Sequence, residues 1–151
     1  MAFKTFIFLI ACFMAGALTP VQALFNFKLA KAVNNTITSA LISFLVGTLI
    51  LLGYLLYKKQ LRFDVVNVVK TEPYWIWLGG VIGAYYVVTL TYIVPKVGSS
   101  LAFSLVIAGQ LIISLLVDHY GWFGVPVSHI TEKKVMGVVL LAMAIWLIKE
   151  N

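Results

Sequence analysis

Six polar residues recur along one stretch of the chain, Gly98 to Gly124, at spacings that could serve chemistry. Ser99, Ser100, Ser104, Gln110, Ser114 and Asp118 fall within an arc of about 140° if the stretch is helical. The opposite side carries Leu101, Leu105, Ile112 and Leu116. A second set lies early in the chain, where Thr19, Gln22 and Asn26 share an arc with Cys12, Ala15, Gly16, Ala23 and Ala30. A third is Tyr85, Thr89 and Tyr92, whose ring faces and hydroxyls suit a cationic or amphipathic ligand, or simply fill a core. These groups donate and accept hydrogen bonds, the chemistry of holding a polar solute. Catalysis would need convergent acids, bases, nucleophiles or metal ligands, and the sequence has no His/Cys/Asp cluster. Cys12 is alone in an apolar run, and His119 and His129 read as solvated residues at a helix end and in a loop. The expectation is therefore no enzyme, no metal and no cofactor.

The elements that carry these residues are long apolar runs. The chain of 151 residues is 62% hydrophobic and 11% charged, against about 45–50% and 25% in ordinary soluble domains. Five runs read as membrane spans, at about 5–27, 37–57, 74–95, 98–118 and 133–149. The fourth has 20 residues, Gly98 to Val117, before its first charge, enough to cross a bilayer. In the last, only 14 residues from Val135 to Ile148 are uncharged; Lys133, Lys134 and Lys149 can snorkel, and Trp146 can anchor one end. The start resembles a secretory signal with a site at Val21-Gln22-Ala23. Because the apolar run continues through Leu24, Phe25 and Phe27, the expectation is a retained helix. A single membrane domain covers residues 1–151, with the net charge of +6 at the ends of the runs. That distribution is a topology signal rather than a nucleic-acid footprint.

A polar stripe on a spanning helix must turn from lipid, because an unpartnered polar group in hydrocarbon costs several kcal/mol. The other runs supply the shelter. Small residues let helices approach closely, and Gly16 on the first run, Ser39, Ser43 and Gly47 on the second, and Gly79, Gly80 and Gly83 on the third read as packing ridges. Pro20 frees a carbonyl near Gly16 and can kink the first helix. Gln22 and Asn26 then either line a cavity or bond helices together. Asn34-Asn35-Thr36 offers a helix cap, and Trp75 and Trp77 are headgroup-level anchors. Leu61 to Val65 reads as a short interfacial segment, and Pro95 to Gly98 as a tight turn.

Five spans place the termini on opposite sides. Seven cationic residues (Lys4, Lys58, Lys59, Arg62, Lys70, Lys133, Lys134) lie on the amino-terminal side and four (Lys28, Lys31, Lys96, Lys149) on the other. The excess favours a cytoplasmic amino terminus, yet it is small enough for insertion both ways round. Two five-span chains in opposite orientation form an inverted repeat, a construction that holds substrate near the midplane in many secondary transporters. One chain offers half of such a cavity, so an antiparallel dimer is expected.

Four stretches resemble the YdcZ-like family of the drug/metabolite transporter superfamily: Gly16 to Leu29, Ser39 to Thr48, Tyr74 to Tyr86, and Ala108 to Gly124. The last is the most specific, AGQL followed by DHYGWFG. The resemblance implies a small five-span protein, paired with itself or a homologue in antiparallel orientation. It marks Gln22, Asn26, Gly47, Gly80, Gln110, Ser114 and Asp118 as positions matching the family pattern. In size the chain is also similar to small multidrug resistance transporters. Those depend on a carboxylate deep in the first span, whereas here the first run contains no acid.

The expectation is an all-α, multi-pass protein of the bacterial inner membrane, half of an inverted-repeat transporter. It moves a small polar or cationic organic compound by alternating access. Thr19, Gln22, Asn26, Gln110 and Ser114 hydrogen-bond the substrate, Tyr85 and Tyr92 supply ring contacts, and Asp118 gates or couples. Its partners are the lipid bilayer, a second copy or paired homologue, and the small-molecule substrate, with no nucleic acid. A non-transporting subunit that packs its small-residue faces on a partner's helices is the alternative, and a channel uses the same polar stripe differently.

Overall fold

The computed structural model describes residues 2–61 and 65–149. All regular structure among these residues is helical: α1 (Ala2–Ala32), α2 (Thr36–Tyr57), α3 (Val65–Thr71), α4 (Leu78–Val97), α5 (Ser99–Tyr120) and α6 (Glu132–Lys149). Helix is the form that satisfies every backbone group within one apolar segment. Four stretches are long and apolar enough to cross a membrane among the described residues: Phe3–Ala32, Thr36–Tyr57, Tyr74–Val97 and Ser99–Tyr120. The segment α6 is a continuous helix of 18 residues, with Glu132, Lys133 and Lys134 at one end and Lys149 at the other. Contacts group the chain into two compact units, residues 1–95 and 96–151.

In the first unit, α1 runs past the expected end at Phe27 to Ala32. Its 31 residues span about 46 Å at 1.5 Å per residue, more than a hydrocarbon core of about 30 Å. Lys28 and Lys31 therefore end the apolar run without ending the helix, and the Lys31 ammonium sits 4.6 Å from the Phe27 ring centroid. A tight link follows. Asn34 adopts φ +50°, and the Asn35 side chain accepts the Thr38 N–H at 2.9 Å as the N-cap of α2. The helices then pack through small residues: Ser39 is wholly buried, and Ala40, Ala23 and Asn26 nearly so. Ser39 Oγ donates to the Asn26 carbonyl oxygen at 2.7 Å. Small side chains permit that approach, and the hydroxyl supplies the bond.

Among the described residues, the connection after α2 holds one short helix, α3, with Asn67, Val69 and Lys70 exposed. Of the interfacial segment expected at Leu61 to Val65, residues 62–64 lie outside the described residues. Tyr74–Trp77 forms one turn of 3-10 helix ahead of α4, with Trp75 and Trp77 exposed. Leu90, Thr91 and Val94 are the buried positions of α4. The turn expected at Pro95 to Gly98 is shorter than its sequence suggests. Helix α4 continues through Pro95 to Val97, and Gly98, at φ +84°, is the single residue before α5. A proline removes one donor near a helix end, whereas the positive φ ends the helix, a backbone state that glycine adopts without a Cβ penalty.

In the second unit, Gly121 caps α5 in the left-handed conformation, its N–H bonded to the Val117 carbonyl. The loop then folds back on the helix end. Ser128 N–H donates to the Asp118 carbonyl at 2.8 Å, and Ile130 N–H donates to His119 Nδ1 at 3.1 Å. The Lys134 ammonium donates to the Ser128 carbonyl and hydroxyl and the His129 carbonyl at 2.9–3.0 Å. His119 is thus not the lone solvated group expected from sequence. Its ring also meets His129 edge-on, with centroids 5.4 Å apart. Beyond this loop, Leu115 and Leu116 of α5 and Val135, Val138 and Val139 of α6 line a wholly apolar cleft.

Candidate functional site

Within the first unit, Pro20 creates a local need. It has no N–H to give the Gly16 carbonyl one turn earlier. Thr19 Oγ1 fills the vacancy, donating to the Gly16 oxygen at 2.7 Å. The bond satisfies the proline turn of α1 from within the helix itself, as a backbone group in an apolar segment requires.

The proline turn borders a crevice between α1 and α4. Thr19, Gln22, Ala23 and Asn26 of α1 face Tyr86, Val87 and Leu90 of α4 across a cavity of about 10 Å³, the space of about one water molecule. Gln22 and Val87 also line a second, larger cleft of about 210 Å³. Its remaining walls are Ser43, Phe44, Gly47, Thr48 and Leu51 of α2. Gln22 thus stands between the two spaces, its amide placed to donate and accept in either. The Phe44 ring closes the second cleft towards α4. A Cβ built on Gly83 would lie 3.7 Å from its Cζ atom, ordinary contact, so the glycine here is adjacent to the ring without being crowded by it.

The structure brings together Thr19, Gln22 and Asn26 from the sequence reading, and adds Ser43 and Gly47, which were read as packing residues. Tyr85 and Tyr92 are 73% and 55% exposed and line neither cleft. The tyrosine at the crevice is Tyr86, which periodicity passed over. Gly16, Gly79 and Gly80 have nothing within 4 Å of a built Cβ, so their open faces are turned to surroundings other than this chain. In the second unit, Gln110 and Ser114 are exposed on α5. Asp118 is half-buried two residues before the end of that helix, and its backbone carbonyl receives the loop.

Apolar helices of this length, with hydroxyls and amides gathered between them, define a multi-pass membrane protein. The chain belongs to the family described as "Putative inner membrane exporter, YdcZ", whose pattern it matches over residues 7–147. It is similar to the inner membrane protein YdcZ of Escherichia coli (strain K12), with 25% identity over 144 residues, which covers 95% of this chain and 93% of that protein. No solved structure is matched. That family description supports a membrane transporter role, and the relative is an inner membrane protein.

Proposed function

We propose that the protein is a secondary transporter of a small polar or cationic organic compound, working by alternating access as an antiparallel dimer of five-span chains. The observation that carries this reading is the pair of clefts sharing Gln22. Gln22, Ser43 and Thr48 present hydrogen-bonding groups inside the apolar runs of α1 and α2, and Asn26 adds another near the end of the first. Intramembrane polar groups gathered at an opening are the expected lining of a solute path. At about 210 Å³, the larger cleft falls short of the roughly 300–1,000 Å³ of ordinary small-molecule sites. That size fits a half-site completed by a second chain. The exposed Gln110 and Ser114 point the same way, since amide and hydroxyl groups on a spanning helix need cover from lipid. In this reading α6 is the fifth span, Gln110 and Ser114 join Thr19, Gln22 and Asn26 in holding substrate, and Asp118 gates or couples.

The test is uptake by proteoliposomes containing the purified protein, measured over a panel of small organic solutes. Gln110→Leu is expected to abolish uptake of whichever solute the wild type carries, with membrane insertion intact. Unchanged uptake removes Gln110 from the site, and the antiparallel pairing then loses its main support.

A further inference from the structure

Charge is confined to the ends of the apolar runs. Neither cleft of the first unit is lined by an Asp, Glu, Lys, Arg or His among the described residues. The sequence extends this to the whole chain. Residues 5–27, 36–57, 74–95, 98–117 and 135–148 contain none of the five residue types. A second copy completing the site would therefore add only neutral groups at mid-membrane depth.

From this neutral lining we infer that the transported solute is uncharged: a small amphipathic molecule with an amide or hydroxyl head and an apolar body. The inference rests on the transporter reading above and narrows its substrate class. The larger cleft supplies both halves of the match. Gln22, Ser43 and Thr48 offer donors and acceptors for the head, while Phe44, Leu51 and Val87 offer apolar surface for the body. A permanent cation entering there would leave its hydration without meeting a carboxylate, and burying an unpaired charge is far costlier than burying a neutral polar group that finds hydrogen bonds. One aromatic ring, Phe44, lines the cleft, and Tyr85 and Tyr92 do not, so no cage of ring faces replaces the missing counter-charge.

The experiment uses matched pairs of probes, each a neutral aromatic amide such as nicotinamide and its N-methylated permanent cation. Binding to the purified full-length protein in lipid nanodiscs is read by saturation-transfer NMR at pH 8. The wild type should bind the neutral member at least tenfold more tightly. Gln22→Glu, nearly isosteric with the native residue, should reverse the order by supplying the absent carboxylate, and Ser43→Ala should weaken the neutral member alone. Equal or tighter binding of the cations by the wild type overturns the charge inference while leaving the transporter reading intact. If the wild type binds neither member of any pair and Gln22→Glu creates no cation binding, both fall, since the cleft is then not a solute site.

Discussion

At the scale of single residues, hydroxyl groups in this chain act first as partners for backbone carbonyls. Thr19 satisfies Gly16, Ser39 satisfies Asn26, and Thr91 donates to the Val87 carbonyl at 2.7 Å. Thr19→Val keeps the side-chain shape but strips the Gly16 carbonyl of its partner. It should lower unfolding free energy by about 1–2 kcal/mol, measured by denaturant titration in mixed micelles. Tyr86→Phe removes a hydroxyl at the crevice Tyr86 lines, and should cost less, about 0.5 kcal/mol. A larger loss for Tyr86→Phe than for Thr19→Val would contradict the reading of Thr19 as the needed partner of the Gly16 carbonyl. The Thr19–Gln22–Asn26 arc was legible because its polar residues interrupt an otherwise greasy helix. Tyr86 was not. Lipid-facing and protein-facing sides of α4 are equally apolar and aromatic, so periodicity had no contrast by which to choose Tyr86 over Tyr85 or Tyr92.

At the scale of elements, helix ends were harder to read than helix existence. Charges stopped the apolar run of α1 at Phe27, yet the helix goes on because Lys28 and Lys31 are good helix formers at the headgroup level. Pro95 suggested a turn that Gly98 makes instead. The loop after α5 was illegible for another reason: His119 meets Ile130 eleven residues later, and no local signal announces such a bond. The cap itself allows a sharp test. Gly121 has φ +65°, and a Cβ there would lie 2.8 Å from Val127 Cγ2. Gly121→Ala should therefore cost about 1–2 kcal/mol, seen as a lowered melting temperature. A companion change, His119→Ala, strips the Ile130 N–H of its acceptor and should raise amide exchange at Ile130 within an otherwise protected loop.

At the scale of the whole molecule, most of the surface is greasy. Phe6, Leu9, Phe13, Leu49 and Ile113 are each more than half exposed, as lipid demands, and no more than 11% of any candidate span is buried within the chain. So little internal burial leaves room for a partner. In the antiparallel reading, membrane-impermeant labelling of single cysteines placed at one loop should modify about half of the copies from each side of the bilayer. Labelling of all copies from one side would rule that arrangement out. Four of the five expected spans were open to sequence because hydropathy reports them directly; α6, the expected fifth, is not among the helices long and apolar enough to cross a membrane among the described residues, and pairing depends on surfaces whose partners lie outside the chain.

The claim on which the rest depends is that Gln22, shared by both clefts, handles the solute. The direct measurement is uptake of a transported solute by proteoliposomes holding equal amounts of inserted wild type, Gln22→Leu and Gln22→Asn. The account predicts loss of at least tenfold for Gln22→Leu, which has the size but no hydrogen-bonding group, and partial retention for Gln22→Asn. Wild-type uptake by Gln22→Leu would contradict it.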